Sequence, residues 1–229
     1  METVCLIPTL NESPTIREVI SRAHGLTDLT VVVDGNSSDD TVAVARDSGA
    51  EVLIQEGKGK GMAIQTALSK IDADIYVIID GDATYDPYDI HAIISPIIGG
   101  EADMVVGSRL RGQMEKGAIN RTHLLGNHLF NALINVLNHS DISDSQSGFR
   151  AIAGEAFRNL RLSSKGFEIE TEMTVRALRN GLRVKEVPIR YRGRRGSPSK
   201  LSGLGAGTSI LKTILRCSFE DPLTPRALG

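Results

Sequence analysis

Five short runs rich in β-branched and aliphatic residues punctuate the first half of the chain: Val4–Pro8, Leu29–Asp34, Glu51–Ile54, Ile75–Asp80 and Met104–Gly107. The stretches between them carry helical patterns rather than two-residue turns, so successive strands return across helices. That alternation predicts an α/β fold with a mostly parallel, Rossmann-like sheet flanked by helices. Ile16, Val19, Ile20 and Ala23 fall at i, i+3, i+4 and i+7 behind a Ser13-Pro14 start, the spacing of one helix face. Further helices are expected after Asp39 and Gly61, over Pro87 to Ile98, across Arg121 to Asn138, and around Glu170–Asn180, where Gly181 supplies a stop. Leu125, Leu129, Ala132, Leu133, Val136 and Leu137 form one apolar face on the Arg121–Asn138 helix, and a polar, turn-rich Ser140–Gly148 stretch follows it. Arg183–Arg192 reads as strand broken by Pro188, whose missing N–H belongs at a sheet edge.

At 229 residues the chain suits one fairly large domain. Hydrophobic residues at 41% and charged residues at 24% argue against gross disorder, and a net charge of -2 gives no reason to expect nucleic acid as a partner. Cys5 and Cys217 stand in unrelated contexts without a CxxC pattern, so a structural zinc site is not expected. The N-terminus enters an apolar run without a basic leader, and no stretch approaches the length of apolar sequence a spanning helix needs. The expectation is a cytoplasmic protein that can still associate with a surface.

Ligands of open α/β sheets bind outside the carboxyl ends of the strands. Three such ends carry unusual residues: Pro8-Thr9-Leu10-Asn11-Glu12, Asp34-Gly35-Asn36-Ser37-Ser38-Asp39 and Asp80-Gly81-Asp82. Asp80 and Asp82 lie two apart at the exit of a buried strand, where the turn can bring both carboxylates toward one divalent cation. The plainer alternative is a pair of acidic residues that end a strand and cap a turn. Asp34 ends a second buried strand, and a carboxylate there is costly unless it binds something; it suits a base or ribose, or else caps the next helix, as Asp39 does more readily. Gly57-Lys58-Gly59-Lys60-Gly61 fits neither the Walker A nor the dinucleotide glycine pattern, and offers either phosphate contact through Lys60 or a loop and helix start.

The ordered set Ile7–Glu12, Val33–Thr41, Asp80-Gly81-Asp82, Gly107-Ser108-Arg109, Ser147-Gly148-Phe149-Arg150 and Ser199-Lys200-Leu201 resembles family 2 glycosyltransferases, and within them the dolichol-phosphate mannose synthase and polyprenyl-phosphate branch. The resemblance runs from Ile7 to about Leu201. It implies a glycosyltransferase A fold and inverting transfer of a sugar from a UDP- or GDP-sugar to dolichyl or polyprenyl phosphate. It also implies Mg²⁺ or Mn²⁺ on Asp80 and Asp82, and a nucleotide pocket lined by Pro8, Leu10, Glu12, Asp34 and Asp80, to which Lys60 and Gly81 are added. The chain departs from the pattern at Gly35, where relatives often carry Asp, and at Thr84, where they often carry Gln.

A phosphate acceptor is already anionic and needs no general base. That chemistry asks for arginines rather than a catalytic histidine, and the resemblance implies a catalytic set of Asp82 with Arg109, Arg121, Arg150 and Arg194, whose guanidinium groups suit phosphate. His123, His128 and His139 are expected to be structural or solvated. The basic run Arg190, Arg192, Arg194, Arg195 and Lys200 reads as a solvated edge strand or as a loop over lipid headgroups. Glu170 and Glu172 fall where the resemblance puts polar residues near the donor sugar, or on a helix surface. Ile210, Leu211, Ile214, Leu215 and Ser218 form a further stripe, the pattern of an interfacial helix and equally of a helix packed on the core. The expected organisation is a catalytic domain over 1–202 with an amphipathic membrane-surface tail over 203–229, attached peripherally at the cytoplasmic face through 121–138 and 203–219. Rival expectations are transfer to a glycan or protein hydroxyl, a non-catalytic sugar-nucleotide binder, and a haloacid-dehalogenase-like phosphatase, whose hydrophobic-DxDxT opening Ile78–Thr84 also satisfies.

Overall fold

The structure, a computed structural model, describes residues 1–196 and 203–220; the Ser199-Lys200-Leu201 motif and the 202/203 boundary expected above involve residues outside that range. Seven strands form one sheet: β1 (Thr3–Thr9), β2 (Leu29–Asp34), β3 (Glu51–Ile54), β4 (Ile75–Ile78), β5 (Met104–Met114), β6 (Arg150–Ala153) and β7 (Val184–Tyr191). Their order is β3-β2-β1-β4-β6-β5-β7. β1, β2, β3 and β4 run parallel, β6 lies antiparallel between β4 and β5, and β7 pairs parallel with β5 at the edge. The sheet is thus mostly parallel, as the alternation requires. Pro188 sits within a single continuous β7, and edge placement is what lets the strand accommodate it.

The helices are α1 (Ile16–Ala23), α2 (Thr41–Asp47), α3 (Lys60–Lys70), α4 (Ile90–Ile98), α5 (Arg121–Asn138), α6 (Gly154–Asn159), α7 (Ile169–Arg179) and α8 (Gly203–Phe219), with a 3₁₀ turn at Pro87–Asp89. Side chains alternate along β1 and fill two cores. Cys5 and Ile7 pack with α1 and α4 through Ile16, Ile20, Ile93 and Ile97, while Val4 and Leu6 pack on the other face with Ile64 of α3, Phe157 of α6 and Met173 of α7. A sheet covered on both faces has no polar side to show, which is why these strands read as unbroken apolar runs. Each fully buried Ile or Phe contributes about 1.5–3 kcal/mol relative to exposure.

β6 and α6 went unread in the sequence. Arg150–Ala153 is four residues long and opens on arginine, too little for a period-2 signal.

The apolar faces of α5 and α8 each divide. Ile134 of α5, Val175 of α7 and Ile210, Ile214 and Cys217 of α8 make a third core, with Leu133 and Leu137 half-buried against it. Leu125, Leu129 and Val136 of α5 and Leu211, Leu215 and Phe219 of α8 face outward. No helix among the described residues is long and apolar enough to cross a membrane.

Candidate active site

β2 and β4 flank β1, and the chain proceeds to opposite sides of it, so a crevice opens beyond the carboxyl ends of β1 and β4. Register brings Thr9 opposite Asp34 and Leu6 opposite Ile78, so the three motif-bearing strand ends converge there.

The β1 and β2 loops knit together. Asn11 takes a left-handed φ of 50°, its N–H donates to Ser37 Oγ at 2.8 Å and its Oδ1 accepts from the Ser38 N–H at 2.8 Å. Asp34, buried, accepts from the Ser37 N–H at 2.8 Å and from Ser37 Oγ at 2.5 Å, holding the turn that follows β2. Asp39 accepts from the Thr41 N–H at 3.0 Å at the head of α2 and from the Ser13 N–H at 3.2 Å. Pro8 is buried and Leu10 lies exposed at the rim. Gly81 packs so closely that a Cβ would stand 3.0 Å from Thr9 Oγ1, and its carbonyl accepts from Thr15 Oγ1 at 2.8 Å.

Asp80 and Asp82 lead into a bent turn in which Ala83 has φ 57°. An alanine in the left-handed region costs energy that the surrounding structure must supply, and such strain gathers at functional sites. Asp82 Oδ1 accepts from the Thr84 N–H at 3.1 Å and from Thr84 Oγ1 at 2.6 Å; Oδ2 pairs with Arg194, which also reaches Glu12. Burial, and then the neighbouring Asp80 charge, push the Asp82 carboxyl above its usual range. Asp80 Oδ1 is 2.5 Å from Lys60 Nζ, which lies 2.5 Å from Glu170 Oε1 as well. Burial works against that ammonium, but Asp80 and Glu170 outweigh it and hold it protonated.

Arg194 arrives as the last rung of a ladder. Along β7 and beyond it, Arg190 pairs with Asp89 and Asp86, Arg192 with Asp86, and Arg194 with Asp82. The Arg192 N–H donates to the Thr84 carbonyl at 2.8 Å, and Tyr85 and Tyr191 pack edge-on at 5.0 Å. The alternating arginines of the basic run therefore meet the acidic residues after β4 in register.

Arg109 and Arg150 occupy the walls. Arg109 is 7% exposed; its Nε and Nη2 donate to the two Asp144 oxygens at 2.8 and 2.7 Å, and its guanidinium lies 5.2 Å from the Tyr191 ring centroid. Arg150 is fully buried and donates to the carbonyls of Ser145, Ser147 and Glu170, tying the turn before β6 to α7. Arg121, at the first position of α5, is exposed. His139 is the left-handed cap at the end of that helix and His128 is exposed.

Sequence reading missed Tyr85, whose hydroxyl accepts from the Gly148 N–H at 2.8 Å, and the close approach of Gly148 to Asp80. It left Glu170 and Glu172 open; both are buried in the first turn of α7. Glu172 accepts from the Ser163 and Ser164 N–H groups at 3.0 and 2.6 Å, and from Arg176 Nε at 2.9 Å.

Hard oxygen donors at Asp80 and Asp82 suit Mg²⁺ or Mn²⁺, and cationic nitrogens already press against both carboxylates. No group of three or more His, Cys, Asp or Glu among the described residues is arranged to enclose a metal. A divalent ion here would complete its shell with diphosphate oxygens and water, as Mg²⁺ ordinarily does. The residues present fit such an ion.

The sequence profile described as "Glycosyl transferase family 2" matches residues 4–161. "Glycosyltransferase AglJ" of Haloferax volcanii is 37% identical over 97% of this chain and 74% of its own length. "Dolichyl-phosphate hexose transferase" of the same organism is 32% identical over 94% of this chain and 93% of its own length. Among solved structures, glucosyl-3-phosphoglycerate synthase from Mycobacterium tuberculosis in complex with Mn²⁺ and UDP-glucose superposes with a TM-score of 0.75 at 28% identity, covering 96% of this chain and 80% of that one.

Proposed function

This chain belongs to glycosyl transferase family 2, and we propose that it moves mannose, glucose or N-acetylglucosamine from a UDP- or GDP-sugar onto dolichyl or another polyprenyl phosphate, with inversion. The observation that carries the reading is the convergence of Asp80, Asp82 and Glu12 on the crevice between β1 and β4. Asp80 and Asp82 would hold Mn²⁺ or Mg²⁺, which would neutralise the charge that builds on the departing diphosphate. The relative named for dolichyl phosphate and the neighbour solved with Mn²⁺ and UDP-glucose support the acceptor and donor classes.

In this reading Pro8, Leu10, Glu12, Asp34 and Gly81 shape the nucleotide pocket. A phosphate oxygen of the acceptor attacks the anomeric carbon, and the bond from that carbon to the diphosphate oxygen breaks on the opposite side. The acceptor arrives ionised, so the protein moves no proton and contributes position and charge. Arg194, paired with Asp82 and Glu12 at the crevice mouth, meets phosphate only by giving up part of that pairing, whereas Arg121 is exposed at the start of α5. Arg109 and Arg150 act from the walls, fixing the 144–150 segment beside Asp80. A hydroxyl acceptor would need a base. Glu172 is a poor one: burial raises its pKa, but hydrogen bonds from Ser164 and Ser163 outweigh this and bring it to about 2, while Glu170 is committed to Lys60.

In this reading the sheet and its flanking helices form the catalytic unit, and α8, packed by one face on α5 and α7, presents its other face to the membrane at the cytoplasmic side; residues 197–202 and 221–229 lie outside the described range. The outward Leu125, Leu129, Val136, Leu211, Leu215 and Phe219 on α5 and α8 would rest on the bilayer that carries the acceptor. The test is transfer of radiolabelled sugar from UDP- and GDP-sugars to dolichyl phosphate by purified protein with Mn²⁺ or Mg²⁺, with Asp82→Ala alongside. Lipid-linked product that needs both metal and Asp82 is expected. Activity unaffected by Asp82→Ala, or label released only as free sugar or sugar phosphate, would refute the reading.

A further inference from the structure

The Lys60 ammonium is divided between two carboxylates from different elements, Asp80 after β4 and Glu170 on α7, at 2.5 Å from each. Its place is built by backbone. Gly59 and Gly61 let the start of α3 press against the Lys165 and Ser164 carbonyls, where a Cβ on either glycine would collide. The Met62 N–H donates to the Lys165 carbonyl at 3.3 Å, and Gln65 Nε2 to the Ser164 carbonyl at 2.8 Å. On the other side, a Cβ at Gly148 would stand 2.6 Å from Asp80 Oδ2 and 2.8 Å from Lys60 Nζ. Glu170 is 4% exposed, and its Oε2 is buried with no hydrogen-bond partner among the described residues.

We propose that Glu170 is a positioning residue that acts through Lys60: by holding half of the ammonium's attraction, it keeps Lys60 from closing on Asp80 alone and leaves Asp80 open to the divalent cation. The proposal rests on the reading of Asp80 as a metal carboxylate. Without Glu170, Lys60 and Asp80 become an exclusive ion pair in a poorly solvated pocket, where one-sided removal of a partner weighs heavily. An arriving cation must then displace the ammonium outright.

The experiment is a Mn²⁺ titration followed by electron paramagnetic resonance, in the presence of UDP and separately of GDP, with thermal melting of each variant. Glu170→Gln is expected to weaken Mn²⁺ about tenfold, equivalent to about 1.4 kcal/mol. Glu170→Asp keeps the charge but draws the carboxylate back, and is expected to weaken it similarly; a wild-type affinity for that variant would mean that charge alone matters, and overturns the proposal. In a Lys60→Met background, Glu170→Gln is expected to lose most of its effect, whereas an equal fold-change in both backgrounds also overturns it. If the wild-type protein binds Mn²⁺ with neither nucleotide, the proposed function falls together with this inference. If the wild type binds and the Glu170 variants match it, only this inference falls.

Discussion

Asp144→Ala removes one side of a buried, bidentate ion pair and is expected to be among the most destabilising single changes in this fold. Asp144 is fully buried and accepts from Arg109 at the backbone N–H, Nε and Nη2, at 2.9, 2.8 and 2.7 Å. Its loss strands a guanidinium that is itself 7% exposed, and breaking such a pair from one side costs about 3–5 kcal/mol. A chain of this size loses roughly 2–4 °C of Tm per kcal/mol, so the melting temperature should fall by about 6–20 °C. Circular dichroism melts and urea titration measure this, with Asp141→Ala as the control: Asp141 is 98% exposed and reaches Arg111 at only 3.3 Å, so its change should stay within about 0.5 kcal/mol. Replacing both partners, Arg109→Met with Asp144→Leu, should recover much of the loss, because the cost lies in the stranded charge. An Asp144→Ala shift no larger than the Asp141→Ala shift, or strict additivity of the two single changes in the double variant, would refute the argument.

Three further outcomes are expected. Gly148→Ala puts a methyl 2.6 Å from Asp80 Oδ2 and 2.8 Å from Lys60 Nζ; both are side-chain ends that can move, so the stability cost should be about 1 kcal/mol, while calorimetry should find Mn²⁺–nucleotide affinity reduced roughly tenfold. The Glu172 carboxyl feels burial, which raises its pKa, but the Ser164 and Ser163 hydrogen bonds prevail and bring it from 4.5 to about 2. Being depressed in the folded state, it contributes on the order of 3 kcal/mol above pH 4.5, lost as pH falls through that value toward 2; Glu172→Gln should flatten the acid limb of a stability–pH curve, and an unchanged limb would count against it. Leu129→Asp and Phe219→Asp alter residues 63% and 72% exposed, so stability should hold within about 0.5 kcal/mol while cosedimentation with liposomes containing dolichyl phosphate falls several-fold; unchanged sedimentation would remove the outward face from the membrane reading.

Strand and helix positions were largely legible because both sheet faces are covered and the connecting helices are amphipathic. β2 and β3 and helices α1 and α5 have the bounds their patterns suggest. The local order of the motifs also placed Asp80, Asp82, Glu12 and Asp34 at strand ends, since chain direction in a parallel sheet sends them all to one side. β6 escaped because antiparallel insertion between β4 and β5 depends on partners far away in sequence, and the four residues themselves carry almost no periodic signal.

The same division governs the side chains. The sequence by itself determined the parallel strands and the carboxylates at their ends, because periodicity and local chemistry act over a few residues. Tertiary structure decided which charges face the crevice and which are spent in the walls. Arg109 meets Asp144 across 35 positions, Lys60 meets Glu170 on another helix, and Arg194 returns across 112 positions to Asp82. Burial and ion pairing are settled by neighbours that only folding supplies, and for that reason the four arginines that looked equivalent in the sequence part company in the fold: Arg109 and Arg150 are buried, Arg194 is paired at the crevice and Arg121 is exposed on α5.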